Sequence, residues 1–303
     1  QTRICQAVDR VLRVRCLATK ALTFAFLAAT SVGAQERVRL VTGNDYGQFT
    51  GETLDNGGMA TEVVRSAFRA TNVEPEFVFD DWALGFEQTR QNNYDGTFPY
   101  VFENTSSDPR PKFFVYSDAT YSIVERIFMR TGDARRSDIS SPQDLEGLEL
   151  CYPSGWALPS EIHGFVDRGL IIRNQPGDMS RCFDLLGLGR VDAVLSPELQ
   201  GYETAEQSTE LGPFAVDTAP WDVSNRTLSV IFPKEAGREA ACQLAVRFNA
   251  GLATIRANGT FNEIARRWFS DVAQLADPSE QYEITVQGGQ ELQELVGAAV
   301  GLR

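Results

Sequence analysis

The chain has 303 residues with 43% hydrophobic and 10% aromatic content, which is typical of a globular protein built as one large unit or two compact ones. Its formal net charge of −13 at pH 7 argues against nucleic acid as a partner, because phosphate binding requires a basic surface.

The first 34 residues differ in composition from the rest of the chain. Five basic residues precede an apolar run that begins at Ala21, namely Arg3, Arg10, Arg13, Arg15 and Lys20. Val32 and Ala34 then place small side chains before a cleavage site at Gln35, and the run is shorter than the roughly 20 residues that a membrane-spanning helix needs. We predict a secretory signal peptide over residues 1–34 and a periplasmic mature protein; the alternative is a buried N-terminal helix.

The first part of the mature chain alternates between strand and helix patterns. Apolar residues at spacings of three and four predict helices over residues 59–70 and 82–91, the second with Asp81 as its N-cap. Short apolar runs predict strands over residues 38–42, 76–79 and 94–98. This alternation indicates parallel crossovers and therefore an α/β sheet.

The middle of the chain repeats this pattern after a long predicted strand over residues 121–130. Ser141-Pro142 begins a short helical turn, and the segments that follow alternate as strand, helix, strand, helix and strand, at 148–152, 160–167, 170–172, from 179, and 191–195. A further strand is predicted at 227–232, followed by a helix that ends at Asn258-Gly259. Residues 271–303 are interpreted as a C-terminal extension.

Three cysteines follow the predicted signal peptide: Cys151, Cys182 and Cys242. Cys151 lies on a predicted strand and Cys182 in the first turn of a predicted helix. A disulfide between them would close a loop of about 32 residues and stabilise the exported protein by about 3–4 kcal/mol. Three buried thiols are the alternative that the sequence leaves open.

Motifs for nucleotide, zinc or serine-hydrolase chemistry are absent from the sequence. His163 is the one histidine, no cysteine and histidine cluster has zinc spacing, and no phosphate-binding glycine loop follows a strand. We therefore expect no metal, no cofactor and no catalytic triad.

Several segments, in order, carry a resemblance to a known family. They include RLVTGNDYGQF, DDWALGFEQTRQNNYDGTFPY, DPRPKFFVYSDATY, SPQDLEGLELCYPSGW, GRVDAVLSPE and IRANGTFNEIARRWF. Over about residues 36–270 the chain resembles the family 3 extracellular solute-binding proteins, the amino-acid-binding class of ABC importers. The resemblance implies the two-lobe α/β fold of periplasmic binding proteins, in which each lobe is a mostly parallel sheet flanked by helices. Lobe 1 would comprise residues 35–127 and 227–270, and lobe 2 residues 128–226, joined by two hinge strands near 125–129 and 225–228.

The resemblance also implies charged ligand-binding positions. Arg110, in SSDPRPKFF, stands where the family has an arginine that forks onto the ligand carboxylate, and a guanidinium fits a carboxylate in a bidentate manner. Pro197 stands where the family has an aspartate that receives the ligand ammonium. Either the adjacent Glu198 has taken over that role, or the ligand has no ammonium to bind.

The remaining candidate site residues are a loop and a set of aromatic side chains. Ser154-Gly155-Trp156 replaces the family's Gly-Thr-Thr loop, and its backbone N–H groups are candidates for anion binding. Aromatic side chains suit a flat or apolar ligand body. The candidates are Tyr46 with its neighbour Asp45, Trp82, Phe98, Tyr100, Trp156 and Trp221.

The resemblance implies a monomeric periplasmic receptor that presents a small carboxylate-bearing solute to an ABC transporter permease, and not an enzyme. One alternative is an enzyme on the same scaffold that resembles cyclohexadienyl dehydratases and uses Glu198 as general acid. Another is an accessory or sensor protein with a degenerate cleft.

Overall fold

The computed structural model describes residues 36–102, 109–207 and 214–268. The predicted signal peptide over residues 1–34 and the predicted extension over residues 271–303 lie outside these ranges. Within them, no helix is both long and apolar enough to cross a membrane.

Nine strands are described. In chain order they are β1 Glu36–Thr42, β2 Val73–Phe79, β3 Gly96–Val101, β4 Phe114–Tyr116, β5 Tyr121–Arg130, β6 Glu149–Cys151, β7 Ile172–Asn174, β8 Ala193–Pro197 and β9 Val216–Pro233.

In the described part of the chain, eight α-helices connect and flank the strands. They are α1 Met59–Arg69, α2 Trp82–Arg90, α3 Arg110–Phe113, α4 Ser160–Asp167, α5 Met179–Gly187, α6 Glu198–Glu206, α7 Arg238–Ala257 and α8 Thr260–Trp268. Three short 3-10 turns also occur, at Asp55–Gly57, Ala134–Asp138 and Pro142–Leu145.

All nine strands belong to one mixed sheet with the order β2-β1-β3-β9-β5-β8-β6-β7, and β4 also pairs with β9. At one end β1 is parallel to β2 and β3, and at the other β6 is parallel to β7 and β8. The long strands β5 and β9 run antiparallel to each other between these two parallel groups. The predicted α/β fold is confirmed.

The two parallel groups pack on separate hydrophobic clusters. On the β1 side, α1 buries Met59, Val63, Val64, Ala67 and Phe68, the face predicted from their spacing, in one cluster with α7 and α8. On the β6 side, two smaller clusters form around Leu150 and Phe183. The predicted lobe boundaries near residues 127 and 226 fall inside β5 and β9, and the lobe division stays a prediction.

Strand β9 is much longer than the sequence indicated. The sequence predicted a strand over residues 227–232 and a hinge strand near 225–228, whereas β9 spans Val216–Pro233. The part of β9 before residue 227 contains Pro220 and Asn225, which are residues typical of turns, and it forms a strand here because it pairs along β5. Tertiary pairing has therefore overridden local preference.

The predicted disulfide between Cys151 and Cys182 is present and joins β6 to the first turn of α5. Both cysteines are fully buried and their Cα atoms are 5.5 Å apart. The alternative of free thiols at these two positions is wrong. The bridge fixes β6, and hence the segment that follows it, against the helix.

Candidate functional site

A cavity of about 510 Å³ opens above the middle of strands β5 and β9. This volume lies within the range of about 300–1,000 Å³ that is usual for small-molecule sites. Its aromatic lining consists of Tyr46, Trp82, Phe86, Tyr100, Tyr152 and Trp156. Its ionisable lining consists of Glu87, Arg110, Glu125, His163 and Arg226.

The floor of the cavity is a buried ion pair between the two long strands. Glu125 on β5 is fully buried, and its Oε2 lies 2.5 Å from an Nη of Arg226 on β9. The Ser224 hydroxyl donates to the same oxygen at 2.6 Å, and the Tyr152 hydroxyl donates to Oε1 at 3.1 Å. Both carboxylate oxygens are therefore bound by groups of the protein.

Arg226 is held by the same group of residues. It donates to the carbonyl oxygen of Ala157 at 2.7 Å and to the Tyr152 hydroxyl at 3.1 Å. Burial lowers the pKa of the Arg226 guanidinium, but the charge of Glu125 and the contact with Tyr152 outweigh it, so the pKa lies above its usual range. Burial, followed by the charge of Glu125, raises the pKa of Tyr152. The floor consequently holds a charged pair and a neutral phenol.

Aromatic rings form the walls and meet edge to face. Tyr46 lies 5.2 Å from Trp156 at an interplanar angle of 70°, and 6.1 Å from Trp82 at 81°. Trp82 in turn lies 6.2 Å from Tyr100 at 80°. Such edge-to-face contacts hold the rings in defined orientations, so the walls are rigid and largely apolar.

Contacts of both the backbone near Trp82 and its indole ring hold this residue in place. Asp81 caps α2 by accepting the backbone N–H groups of Ala83 and Leu84, as predicted. The indole N–H of Trp82 donates to the Asp45 carboxylate. The ring lies against Gly43, where an added Cβ would be 2.1 Å from the indole. Gly43 is therefore required for this placement.

Arg110 begins the short helix α3 and lines the cavity beside Tyr100. Burial raises the pKa of the Tyr100 hydroxyl, while the charge of Arg110 acts in the opposite direction. A guanidinium on the wall of a mostly aromatic cavity is suited to bind a carboxylate in a bidentate manner.

The structure brings together six of the residues predicted for the site. Tyr46, Trp82, Tyr100, Arg110, Gly155 and Trp156 all line the cavity. Phe98 does not, because it is fully buried in the hydrophobic core next to Phe77. Trp221 packs against the cluster around Leu150. Asp45 supports the Trp82 indole from behind the wall.

Ser154 does not contribute to the cavity. Its backbone N–H donates to the carbonyl oxygen of Pro176 at 2.9 Å, so this group is already used within the protein. The adjacent Gly155 lines the cavity and has a positive φ of 79°. The predicted anion-binding loop therefore lacks its first donor.

Glu198 does not line the cavity. Strand β8 continues through Pro197, and Glu198 is the first residue of α6. Its carboxylate forms an ion pair with Arg126, 3.2 Å from Nε, and Arg126 also pairs with Asp222 at 2.7 Å. The predicted ligand-binding glutamate is thus paired with an arginine outside the cavity.

Sequence reasoning missed three residues of the floor: Glu125, Tyr152 and Arg226. A weak signal for Glu125 was present, since YSIVERIFMR is an apolar strand with charges in its centre. Charged side chains are rarely buried without a partner, so such a glutamate predicts a buried cation elsewhere in the chain. Nothing local identifies Arg226 as that cation.

Comparison with known proteins identifies the family. The sequence model of the bacterial extracellular solute-binding proteins, family 3, matches residues 38–271. The chain belongs to this family. The family 3 resemblance predicted from the sequence is confirmed.

Solved structures share the fold of this family 3 protein at low sequence identity. An ancestral arginine-binding protein bound to arginine is 19% identical, with a TM-score of 0.63 over 77% of this chain and 98% of that chain. A probable amino-acid ABC transporter extracellular-binding protein from Bacillus subtilis is 17% identical, with a TM-score of 0.62 over 78% and 99%. The ancestral amino acid-binding protein AncCDT-1, a precursor of cyclohexadienyl dehydratase, is 18% identical, with a TM-score of 0.61 over 77% and 95%.

These likenesses establish the periplasmic-binding-protein fold, with a mixed sheet flanked by helices. Among residues 36–102, 109–207 and 214–268, no group of three or more histidine, cysteine, aspartate or glutamate side chains is arranged to hold a metal ion. The described lining offers aromatic walls, the side chains of Glu87, Arg110 and His163, and the Glu125–Arg226 pair on the floor.

Proposed function

We propose that this family 3 protein is the solute-binding component of an ABC-type importer and that it binds a small carboxylate-bearing solute in the cavity. One observation carries this proposal: the Arg110 guanidinium lines an aromatic cavity of about 510 Å³. The family assignment supports it, and so does the likeness to a transporter binding protein from Bacillus subtilis.

In this proposal the solute lies between two lobes that close by bending at β5 and β9. The floor residues sit on these two strands, and Trp156 and Tyr46 come from segments on opposite sides of them. The protein acts as a monomer in the periplasm after export, and it delivers the solute to a membrane permease. The lobe boundaries are those predicted from the sequence.

The test is a thermal-shift screen of the mature protein against small carboxylic acids, amino acids and amines. A ligand that binds the native state alone raises the melting temperature, and the rise grows with the logarithm of the ligand concentration relative to its Kd. We expect at least one carboxylate to stabilise the protein and Arg110→Gln to abolish that shift. Arg126→Gln is the matched control, since Arg126 lies outside the cavity and should leave the shift unchanged. No shift with any carboxylate, or a shift that survives Arg110→Gln, would contradict the proposal.

The enzyme alternative loses the general acid that the sequence suggested for it. Glu198 was its candidate and lies outside the cavity, paired with Arg126. The lining carboxylates Glu87 and Glu125 are each bound by an arginine. A turnover assay with prephenate and arogenate checks this point, and we expect no product.

A further inference from the structure

The loop that follows β1, residues 43–50, lies against helix α6. The loop belongs to the β1 side of the molecule, because Tyr46 and Phe49 pack in the large cluster with α1. Helix α6 belongs to the β6 side, since its Ala205 packs in the cluster around Phe183. The contact between them, the loop–helix contact, therefore joins the two sides of the molecule outside the sheet.

Hydrogen bonds and close packing make up the loop–helix contact. Nε2 of Gln200, in the first turn of α6, donates to the backbone carbonyl oxygen of Asp45 at 3.2 Å. The Gln200 side chain also lies against Gly47, where an added Cβ would be 3.1 Å from its Cγ. One turn further along α6, Glu203 accepts a hydrogen bond from Gln48. Helix α6 thus contacts the loop at Asp45, Gly47 and Gln48.

Gln200 is unusual for a glutamine, because it is only 2% exposed. Among the described residues its Oε1 is buried and has no hydrogen-bond partner. An amide oxygen buried in this way costs about as much free energy as the one hydrogen bond from Nε2 contributes. The loop–helix contact is therefore close to balance, and it can be made and lost without a large change in free energy.

The loop–helix contact also reaches two walls of the cavity, although Gln200 itself does not line it. The Asp45 carboxylate accepts the indole N–H of Trp82. The next residue, Tyr46, lies 5.2 Å from the ring of Trp156 on the far wall. A displacement of the Asp45 backbone would therefore move both Trp82 and Tyr46.

We infer that Gln200 is a positioning residue that holds the two predicted lobes together without ligand and sets the aromatic walls through Asp45. This inference rests on the proposed function in one respect, namely that the lobes bend apart at β5 and β9. Separation of the lobes would hydrate both the Gln200 amide and the Asp45 carbonyl, so their hydrogen bond forms with closure. The solute would then enter a cavity whose walls are already placed, which lowers the free-energy cost of binding.

The test compares the mature protein with Gln200→Ala by small-angle X-ray scattering, with no ligand added. Loss of one hydrogen bond should lower the ratio of closed to open molecules about fivefold, so we expect a larger radius of gyration. We also expect a change in the near-ultraviolet circular dichroism, because Trp82 and Tyr46 lose their fixed orientation. Gln143→Ala, at an exposed glutamine on the β6 side, is the matched control and should change neither signal.

Gln200→Glu identifies the hydrogen bond itself, because it keeps the size of the side chain. At pH 7 its ionised carboxylate has no proton to donate to the Asp45 carbonyl, and we expect an expanded protein. Near about pH 4 a glutamate becomes protonated and can donate, so the radius of gyration should return towards that of the wild type. The wild type at both pH values gives the baseline for the other carboxylates nearby, including Asp45 and Glu203. Far-ultraviolet circular dichroism checks that each variant is folded.

The outcomes keep this inference separate from the proposed function, since no ligand is used. An unchanged radius of gyration in folded Gln200→Ala and Gln200→Glu at pH 7 would overturn the inference. So would an expansion of Gln200→Glu that persists near pH 4, or an equal expansion of Gln143→Ala. A negative carboxylate screen would count against the proposed function and would leave these radii as they are.

Discussion

The floor of the cavity and the end of strand β8 each pair a glutamate with an arginine, but in different surroundings. Glu125 and Arg226 have side chains that are 1% and 10% exposed, whereas those of Glu198 and Arg126 are 19% and 24% exposed. Glu125 and Arg126 are neighbours on β5, and successive side chains of a strand point to opposite faces. One strand therefore supplies both a buried pair inside the site and a more exposed pair outside it.

This difference shows that a charge at the end of a strand is a poor guide to the site here. Burial obliges Glu125 to find several partners, and these partners build the floor. Glu198 remains partly hydrated and needs only Arg126. The charged group most firmly fixed by its neighbours is the one that shapes the cavity.

The largest effect is expected from Glu125→Gln, which tests this comparison directly. The substitution leaves the Arg226 charge buried without its partner, and we expect a loss of about 3–5 kcal/mol in the free energy of unfolding. Glu198→Gln breaks a partly exposed pair and should cost no more than about 1 kcal/mol. Urea unfolding of both variants measures the difference.

A double variant, Glu125→Leu with Arg226→Met, serves as control. Replacing both charges with apolar groups of similar size should recover part of the loss, because no unpaired charge remains. If Glu125→Gln and Glu198→Gln lower the free energy of unfolding equally, burial does not make the Glu125–Arg226 pair more important for stability than the Glu198–Arg126 pair.

The second effect concerns the wall above the floor, where Gly43 makes room for Trp82. Gly43→Ala places a methyl group 2.1 Å from the present position of the indole, so the ring must move. We expect a loss of about 1–3 kcal/mol in the free energy of unfolding and a change in the near-ultraviolet circular dichroism, as for other overpacked sites.

Gly177→Ala is the matched control for this wall variant. An added Cβ at Gly177 meets no other atom within 4 Å, and the expected change is within about 0.5 kcal/mol. If Gly43→Ala and Gly177→Ala behave alike, the ring is not held by close packing against Gly43. The wall would then be less rigid than the floor.

The sequence predicted the framework well because its signals are local. The helical spacing at residues 59–70 and the cap at Asp81 depend on neighbours within one or two turns, and both are present in the structure. The Cys151–Cys182 bridge was one of two alternatives that the sequence left open, and the structure shows it.

The floor could not be predicted because its contacts are distant in sequence. Glu125 meets Tyr152 27 residues away and Ser224 99 residues away, and no local pattern reports such pairings. Glu198 was assigned to the site because it is adjacent to Pro197, which stands at the position of the family's ammonium-binding aspartate. Instead, α6 begins at Glu198 itself, and this change of direction carries the side chain towards Arg126.

The smallest effect is expected at Glu203, on the helix that follows β8. Burial raises the pKa of Glu203, and hydrogen bonds from Gln48 and Gln207 only partly oppose this. The folded state therefore binds a proton at Glu203 more tightly than the unfolded chain. Its contribution to the free energy of unfolding falls as the pH rises from the ordinary glutamate pKa through the raised one.

Glu203→Gln removes this proton binding, so the variant should gain stability relative to the wild type as the pH rises through that window. Urea unfolding at a series of pH values between 4 and 7 gives the difference between the two proteins at each pH. Glu235→Gln, at an exposed position, controls for the loss of one negative charge. The same slope for both variants would mean that Glu203 is as hydrated as a surface residue. Glu203 on α6 would then be a solvated carboxylate, in contrast to the buried Glu125 on the floor of the cavity.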